Sequence, residues 1–193
     1  PYEIRFLSFN PAVSEVIYED RSIQVTTLPL KHRMPTAGFL FREQARDRHI
    51  LKDMIDFYKI PLRCIRSIKA GEDFTTDEGE IIRNDRLTLP ATPSKSYAYC
   101  SDTAYYENLI PLIEGVDVLF HEATFSDSEL ARAKSTMHST AAQAASIAKQ
   151  AHVKKLIIGH YSARYINENE LLNEAKLVFQ NTILADEGMS VEI

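Results

Sequence analysis

The chain has 193 residues, 45% hydrophobic and 25% charged, the makeup of a globular domain with enough apolar side chains to bury a core. A formal net charge of −5 has the wrong sign for a protein that coats nucleic acid, so any RNA contact must come from a local basic patch. The longest apolar stretches, at 141–148 and 156–159, fall far short of the roughly 20 residues that cross a bilayer, and no membrane span is expected.

In chain order, the first 42 residues read as extended. A strand is expected at 2–9, where Ile4 and Phe6 alternate with Glu3 and Arg5. Val16 and Tyr18 follow, and Asp20-Arg21 turns into a strand at 23–30; another at 38–42 completes an antiparallel meander. Pro1 stands where an initiator Met would, ahead of a strand already in progress, so the chain is expected to be a piece of something longer. From Asp47 the period changes: Leu51, Met54, Ile55 and Tyr58 share one face of a short helix that Pro61 ends. Residues 62–95, rich in Gly, Pro, Asp and Thr, read as an excursion with short extended pieces at 65–68 and 80–83. Within and just before it, Lys59, Arg63, Arg66 and Lys69 come without an intervening acid.

From Ser96 onward strands alternate with helices, the pattern of α/β layering. Strands are expected at 97–100, 116–120 and 156–158, helices at 105–113, 140–150 and 168–179, and extended pieces at 182–185 and 190–193. Thr140 with Gln143 fits a capping box, and Asn167 with Glu170 offers the same arrangement.

Asp102, His121, His138 and His160 each fall at a strand's C-terminal end or just before a helix, the edge of an α/β sheet where ligands bind. Asp102 either caps the following helix or ligates a metal. His160, after an apolar strand and a Gly, is a hydrogen-bonded structural residue or a ligand. His138 suits proton transfer, or is an ordinary residue of a capping loop. His121-Glu122 reads as a pair in which the carboxylate orients the ring, or as a solvated turn. His32 is again an imidazole at a strand exit, while His49 and His152 receive no role. The two cysteines, Cys64 and Cys100, form no framework, and no basic-then-apolar leader is present, which points to a reducing, cytoplasmic compartment. With no CxxC, HExxH, GxSxG, Walker or GxGxxG pattern, the remaining lead is a metal hydrolase with oxygen and nitrogen ligands.

The succession Lys31-His32-Arg33-Met34-Pro35-Thr36-Ala37-Gly38, Ser101-Asp102-Thr103, His121-Glu122-Ala123-Thr124-Phe125, His138-Ser139-Thr140 and Gly159-His160-Tyr161-Ser162-Ala163-Arg164-Tyr165 resembles the ribonuclease Z family. The resemblance implies an α/β fold, the C-terminal portion of a metallo-β-lactamase-type αββα sandwich over residues 1–193, and an endonuclease that removes the 3′ trailer from precursor tRNA. It implies that His32, Asp102 and His160 ligate paired zinc ions, Zn2+, that activate water and clamp the phosphodiester. Glu122 and His138 would form a proton relay to the leaving oxygen. A tRNA-gripping arm would lie at about 43–83, with Lys59, Arg63, Arg66 and Lys69 on phosphates. Ile60-Pro61-Leu62 departs from the Gly-Pro often found in that arm, whereas Lys69-Ala70-Gly71-Glu72-Asp73 matches it. Homodimers are implied too.

The HxHxDH motif that supplies most of the family's metal ligands is absent from this sequence. A missing N-terminal part would carry it, leaving each zinc short of the three or four ligands that hold a site. The chain alone is therefore expected to bind zinc weakly or not at all and to be inactive. Alternative readings are a hydrolase of the same fold acting on small phosphodiesters or sulfate esters, and a non-catalytic half that serves folding or dimerisation.

Overall fold

A computed structural model describes residues 3–193, which divide into two compact units, one running to Glu43 and resuming over Lys95–Ile193, the other Gln44–Ser94. The meander comes first: β1 (Val16–Glu19), β2 (Ile23–Pro29) and β3 (Ala37–Glu43), with both pairings antiparallel. The Asp20 carboxylate closes the first turn by accepting from the backbone N–H of Ser22 and Ile23 at 2.7 and 2.9 Å. Residues 3–9 form no strand, contrary to expectation, and Tyr2 lies outside the described residues. Ile4, Phe6 and Leu7 are exposed, so the alternation there has no sheet neighbour to pack against.

The second unit holds β4 (His49–Ile50), α1 (Lys52–Phe57), α2 (Leu62–Lys69), β5 (Phe74–Thr75), β6 (Ile81–Ile82), α3 (Asn84–Leu87) and β7 (Thr88–Leu89). It has its own small core of Ile60, Ile68, Phe74, Ile82 and Leu87. The buried Asn84 amide ties it together, donating to the carbonyls of Ile68 and Glu72 at 2.7 Å. Two expectations fail here. Pro61 caps the start of α2 instead of ending α1, and 65–68 is helical rather than extended. Proline's missing N–H costs nothing at a helix start, and a helical turn buries Ile68 while Arg63 and Arg66 face solvent.

The first unit resumes with β8 (Ser96–Cys100), a 3₁₀ helix (Glu107–Leu112), β9 (Val118–Glu122), α4 (Leu130–Thr136), α5 (Ala141–Gln150), β10 (Lys155–Gly159), α6 (Asn169–Val178) and β11 (Thr182–Leu184). The 3₁₀ helix replaces the α-helix expected at 105–113 because Pro111 lies inside it and cannot donate to the α ladder. The Thr140–Gln143 capping box is present, with both reciprocal bonds, at 3.2 and 3.1 Å. No such box forms at Asn167: α6 begins two residues later, and the Asn167 carboxamide oxygen accepts from Asn169 N–H. Residues 190–193 form no strand.

Seven strands make one sheet in the order β1-β2-β3-β8-β9-β10-β11, parallel from β8 to β11. One face is covered by α5 and α6. Ala141, Ala144, Ala145 and Ala148 allow α5 to lie close over Ala98, Leu119, Leu156 and Ile158, and Leu171 and Ala175 bring α6 into the same core. The opposite face is aromatic: Phe41 stacks on Tyr97 at 6.0 Å and Tyr99 on Phe120 at 4.8 Å. The unit is thus one sheet with one helical layer, half of an αββα sandwich.

Gly38 permits a close approach in this sheet, since a Cβ there would stand 2.3 Å from the Tyr99 carbonyl oxygen, which is fixed backbone. Gly38→Ala is expected to lower unfolding free energy by about 1–3 kcal/mol, the usual cost of overpacking, read as a lower urea midpoint with unchanged slope.

Candidate metal centre

Parallel pairing assembles this site. Cys100 of β8 stands opposite His121 of β9, and Glu122 opposite Gly159 of β10, so the three chains leave the sheet at one edge and deliver Asp102, Thr124 and His160 beside one another. β2 runs in the same direction two strands away and delivers His32 to that edge. The chain turns sharply at each exit: Asp102 has φ 58° and His160 φ 60°. Left-handed backbone costs a non-glycine residue roughly 1–2 kcal/mol. Here the Asp102 carbonyl accepts from Thr36 Oγ1 at 3.4 Å and the His160 carbonyl from Thr124 Oγ1 at 3.0 Å.

Ligand atoms of Asp102, Glu122, His138 and His160 lie within 4.8 Å of one another. His160 Nε2 is 3.2 Å from Asp102 Oδ1. The His138 ring stands between two others, 5.0 Å from His32 and 5.4 Å from His160 by centroids. His32 is therefore adjacent to this group of ligand atoms but outside it. Asp102 caps no helix, because the next one starts at Glu107 without a side-chain cap.

Glu122 is fully buried and not a solvated turn residue. Its Oε1 accepts from Thr103 N–H at 2.6 Å and His138 Nδ1 at 2.8 Å; its Oε2 accepts from Thr124 Oγ1 at 2.6 Å and Ser139 N–H at 3.1 Å. Two donors on each oxygen occupy the lone pairs a metal would need, so Glu122 orients its neighbours rather than ligating. Its carboxylate makes no hydrogen bond to the His121 ring. His121 Nδ1 instead pairs with the Glu122 carbonyl at 2.7 Å, and its buried Nε2 has no partner.

The donor set fits a zinc-like cation. His32 Nδ1 faces the Met137 carbonyl at 3.0 Å, and His138 Nδ1 faces the Glu122 carboxylate. Both oxygens only accept, so both Nδ1 atoms carry protons, and in the neutral ring each Nε2 keeps its lone pair, as metal-bound or proton-carrying imidazoles require. The 3.2 Å between His160 Nε2 and Asp102 Oδ1 is close to the edge, about 3.3 Å, of a tetrahedron with bonds of about 2.0–2.1 Å. Cys100 offers no thiolate, since complete burial pushes its thiol up to about 12.

The bonds made by Thr103, Thr124 and Ser139 were not legible from the sequence. The only signal was their place inside the motifs, next to or two residues from Asp102, Glu122 and His138. Of the expected phosphate contacts, all in the second unit, Lys59, Arg63 and Arg66 are exposed, whereas Lys69 Nζ lies 3.7 Å from Asp47.

Residues 61–161 match the Beta-lactamase superfamily domain. The whole chain is 54% identical to the ribonuclease Z of Parabacteroides distasonis and 55% identical to that of Bacteroides fragilis, spanning 64% and 63% of their lengths. The ribonuclease Z of Porphyromonas gingivalis is 47% identical and spanned to 64%. The chain thus covers less than two thirds of the curated relatives it matches. Among solved structures, the metallo-beta-lactamase fold protein YhfI from Bacillus subtilis is similar with TM-score 0.60 and 18% identity, over 95% of this chain and 54% of that one. The short form of human tRNase Z gives TM-score 0.52 and 22% identity over 93% and 48%.

Burial holds the His121 imidazole below its ordinary value of 6.5. Unfolding releases a ring that takes up a proton the folded protein refuses, so this residue's contribution is intact above 6.5 and is lost as pH falls through the depressed folded value. His121→Leu is expected to flatten the pH dependence of unfolding free energy on the acid side, measured by urea titration at several pH values. An unchanged slope would remove His121 from that account.

Proposed function

The chain belongs to the beta-lactamase superfamily, whose domain matches more than half of it, and from that premise we propose that it forms the C-terminal portion of a zinc-dependent endoribonuclease removing the 3′ trailer from precursor tRNA. The observation that carries this reading is similarity along the entire chain, at 54%, to a ribonuclease Z of which it spans 64%. The length of the relatives beyond this chain leaves room for the HxHxDH ligands that its own sequence lacks.

In this proposal His32, Asp102 and His160 hold the zinc ions, and His138 and Glu122 handle the proton. Zinc, when bound, supplies Lewis-acid charge that activates water and neutralises the phosphodiester. The Nε2 lone pair kept by His32 and the adjacent Asp102 and His160 donors support the ligand assignment. Glu122 fixes the Nδ1 proton of His138, so Nε2 is the ring atom left to take up a proton and deliver it to the leaving oxygen. Four buried donors hold that carboxylate in place, which supports an orienting role.

The stretch at about 43–83, nearly all of it in the second unit, is proposed as the tRNA-gripping arm, with Lys59, Arg63, Arg66 and Lys69 on phosphates. Arg63 and Arg66, one turn apart on α2 and both exposed, support this. The two cysteines are unpaired, which suits a cytoplasmic enzyme. Homodimerisation completes the reading and is checked by sedimentation.

The test uses the protein completed by its N-terminal part. It should cleave precursor tRNA after the mature 3′ end, and inactivity with zinc bound would sink the proposal. His138→Ala should lower kcat by roughly 10²- to 10⁴-fold with bound zinc unchanged; loss of zinc would make His138 a ligand instead. Arg63→Glu with Arg66→Glu should weaken tRNA binding and make its logarithmic salt dependence shallower by about 0.7–0.9 for each phosphate no longer neutralised. An unaltered slope would take these arginines out of the interface.

A further inference from the structure

Thr124 is where the zinc-side imidazole and the proton-side carboxylate meet. Its Oγ1 lies 2.6 Å from Glu122 Oε2, 3.0 Å from the His160 carbonyl and 3.0 Å from His160 Nδ1, in a side chain that is 7% exposed. The partners of His32 and His138 settle those tautomers, since a carbonyl and a carboxylate only accept. A hydroxyl can donate or accept, so the state of His160 depends on where the single Thr124 proton goes. Glu122 Oε2 and the His160 carbonyl are both acceptors, and turning the proton away from them would set lone pairs against each other at 2.6 Å. The proton therefore points to oxygen, and the Thr124 lone pair faces Nδ1.

We propose that Thr124 is a positioning residue: accepting from His160 Nδ1–H while donating toward Glu122, it sets the tautomer that leaves His160 Nε2 as a free electron pair toward Asp102. The buried carboxylate thereby orients both His138, directly, and His160, through one hydroxyl. Without this bond His160 would place its proton on Nε2, where Asp102 Oδ1 at 3.2 Å is the ready acceptor, and the nitrogen needed for a cation would be blocked. The inference rests on the reading of His160 as a ligand. Its test needs neither metal nor tRNA cleavage, so failure of the proposed reaction leaves it standing or falling by itself.

The experiment is long-range 1H–15N correlation of the histidine rings in the whole protein, N-terminal part included. The sample is labelled at histidine, stripped of metal with a chelator, and held at a pH where imidazoles are neutral. His160 should be predominantly Nδ1–H in the wild type, predominantly Nε2–H in Thr124→Val, and Nδ1–H again in Thr124→Ser. The wild-type spectrum is itself a test that does not depend on a variant folding, and Thr124→Ala is a second variant expected to behave as Thr124→Val. An Nε2–H wild type, or a valine or alanine variant that keeps Nδ1–H, would overturn the proposal.

Discussion

The site depends on one buried carboxylate. Glu122 has no solvent exposure and receives hydrogen bonds from the loop after β8, the segment after β9 and the start of α5. Burying an ion is expensive unless every lone pair is met, and a carboxylate with four donors is the case in which the cost is offset. The donors come from segments far apart in sequence, so the bonds form only when β8, β9 and α5 are in register. Packing of the helical layer and placement of the chemistry are thus one event.

The sheet does the coarse positioning and the side chains the fine. Parallel strands share an exit edge, which is why three consecutive neighbours, β8, β9 and β10, bring Asp102, Thr124 and His160 together, and why β2, two strands away, contributes His32. Positive φ marks the turn at Asp102 and at His160, whose side chains meet at 3.2 Å. Bonds to Met137, Glu122 and Thr124 fix the imidazole nitrogens, and the second unit, with its own core, carries its exposed arginines on α2.

Much of this was legible in the sequence where local pattern decides. Alternation marked β2 and β3, the apolar run marked β10, and Thr140 with Gln143 marked the start of α5, because these signals depend on neighbours within a few residues. The exits carrying Asp102 and His160 followed from the strands. What the sequence hid was non-local. The residues around Glu122 left a solvated turn open beside an orienting pair, because nothing next to it announces its complete burial. The strand expected at 2–9 had the alternation but lacks a partner strand, and 65–68 became helical through the burial of Ile68 after Pro61. The motif resemblance named Thr124 without its three bonds, which only the fold reveals.

In the proposed reading, this chain holds half of a metal site whose other ligands lie in a separate N-terminal portion. Calorimetric titration of zinc into the chain alone, and into the chain mixed with a separately made N-terminal portion, decides whether that is so. Little binding to the chain alone is expected, since the proposed ligands His32, Asp102 and His160 would leave each zinc short of the three or four ligands that hold a site, and tight binding is expected for the mixture. Tight binding by the chain alone, or none by a mixture shown to associate, would contradict it.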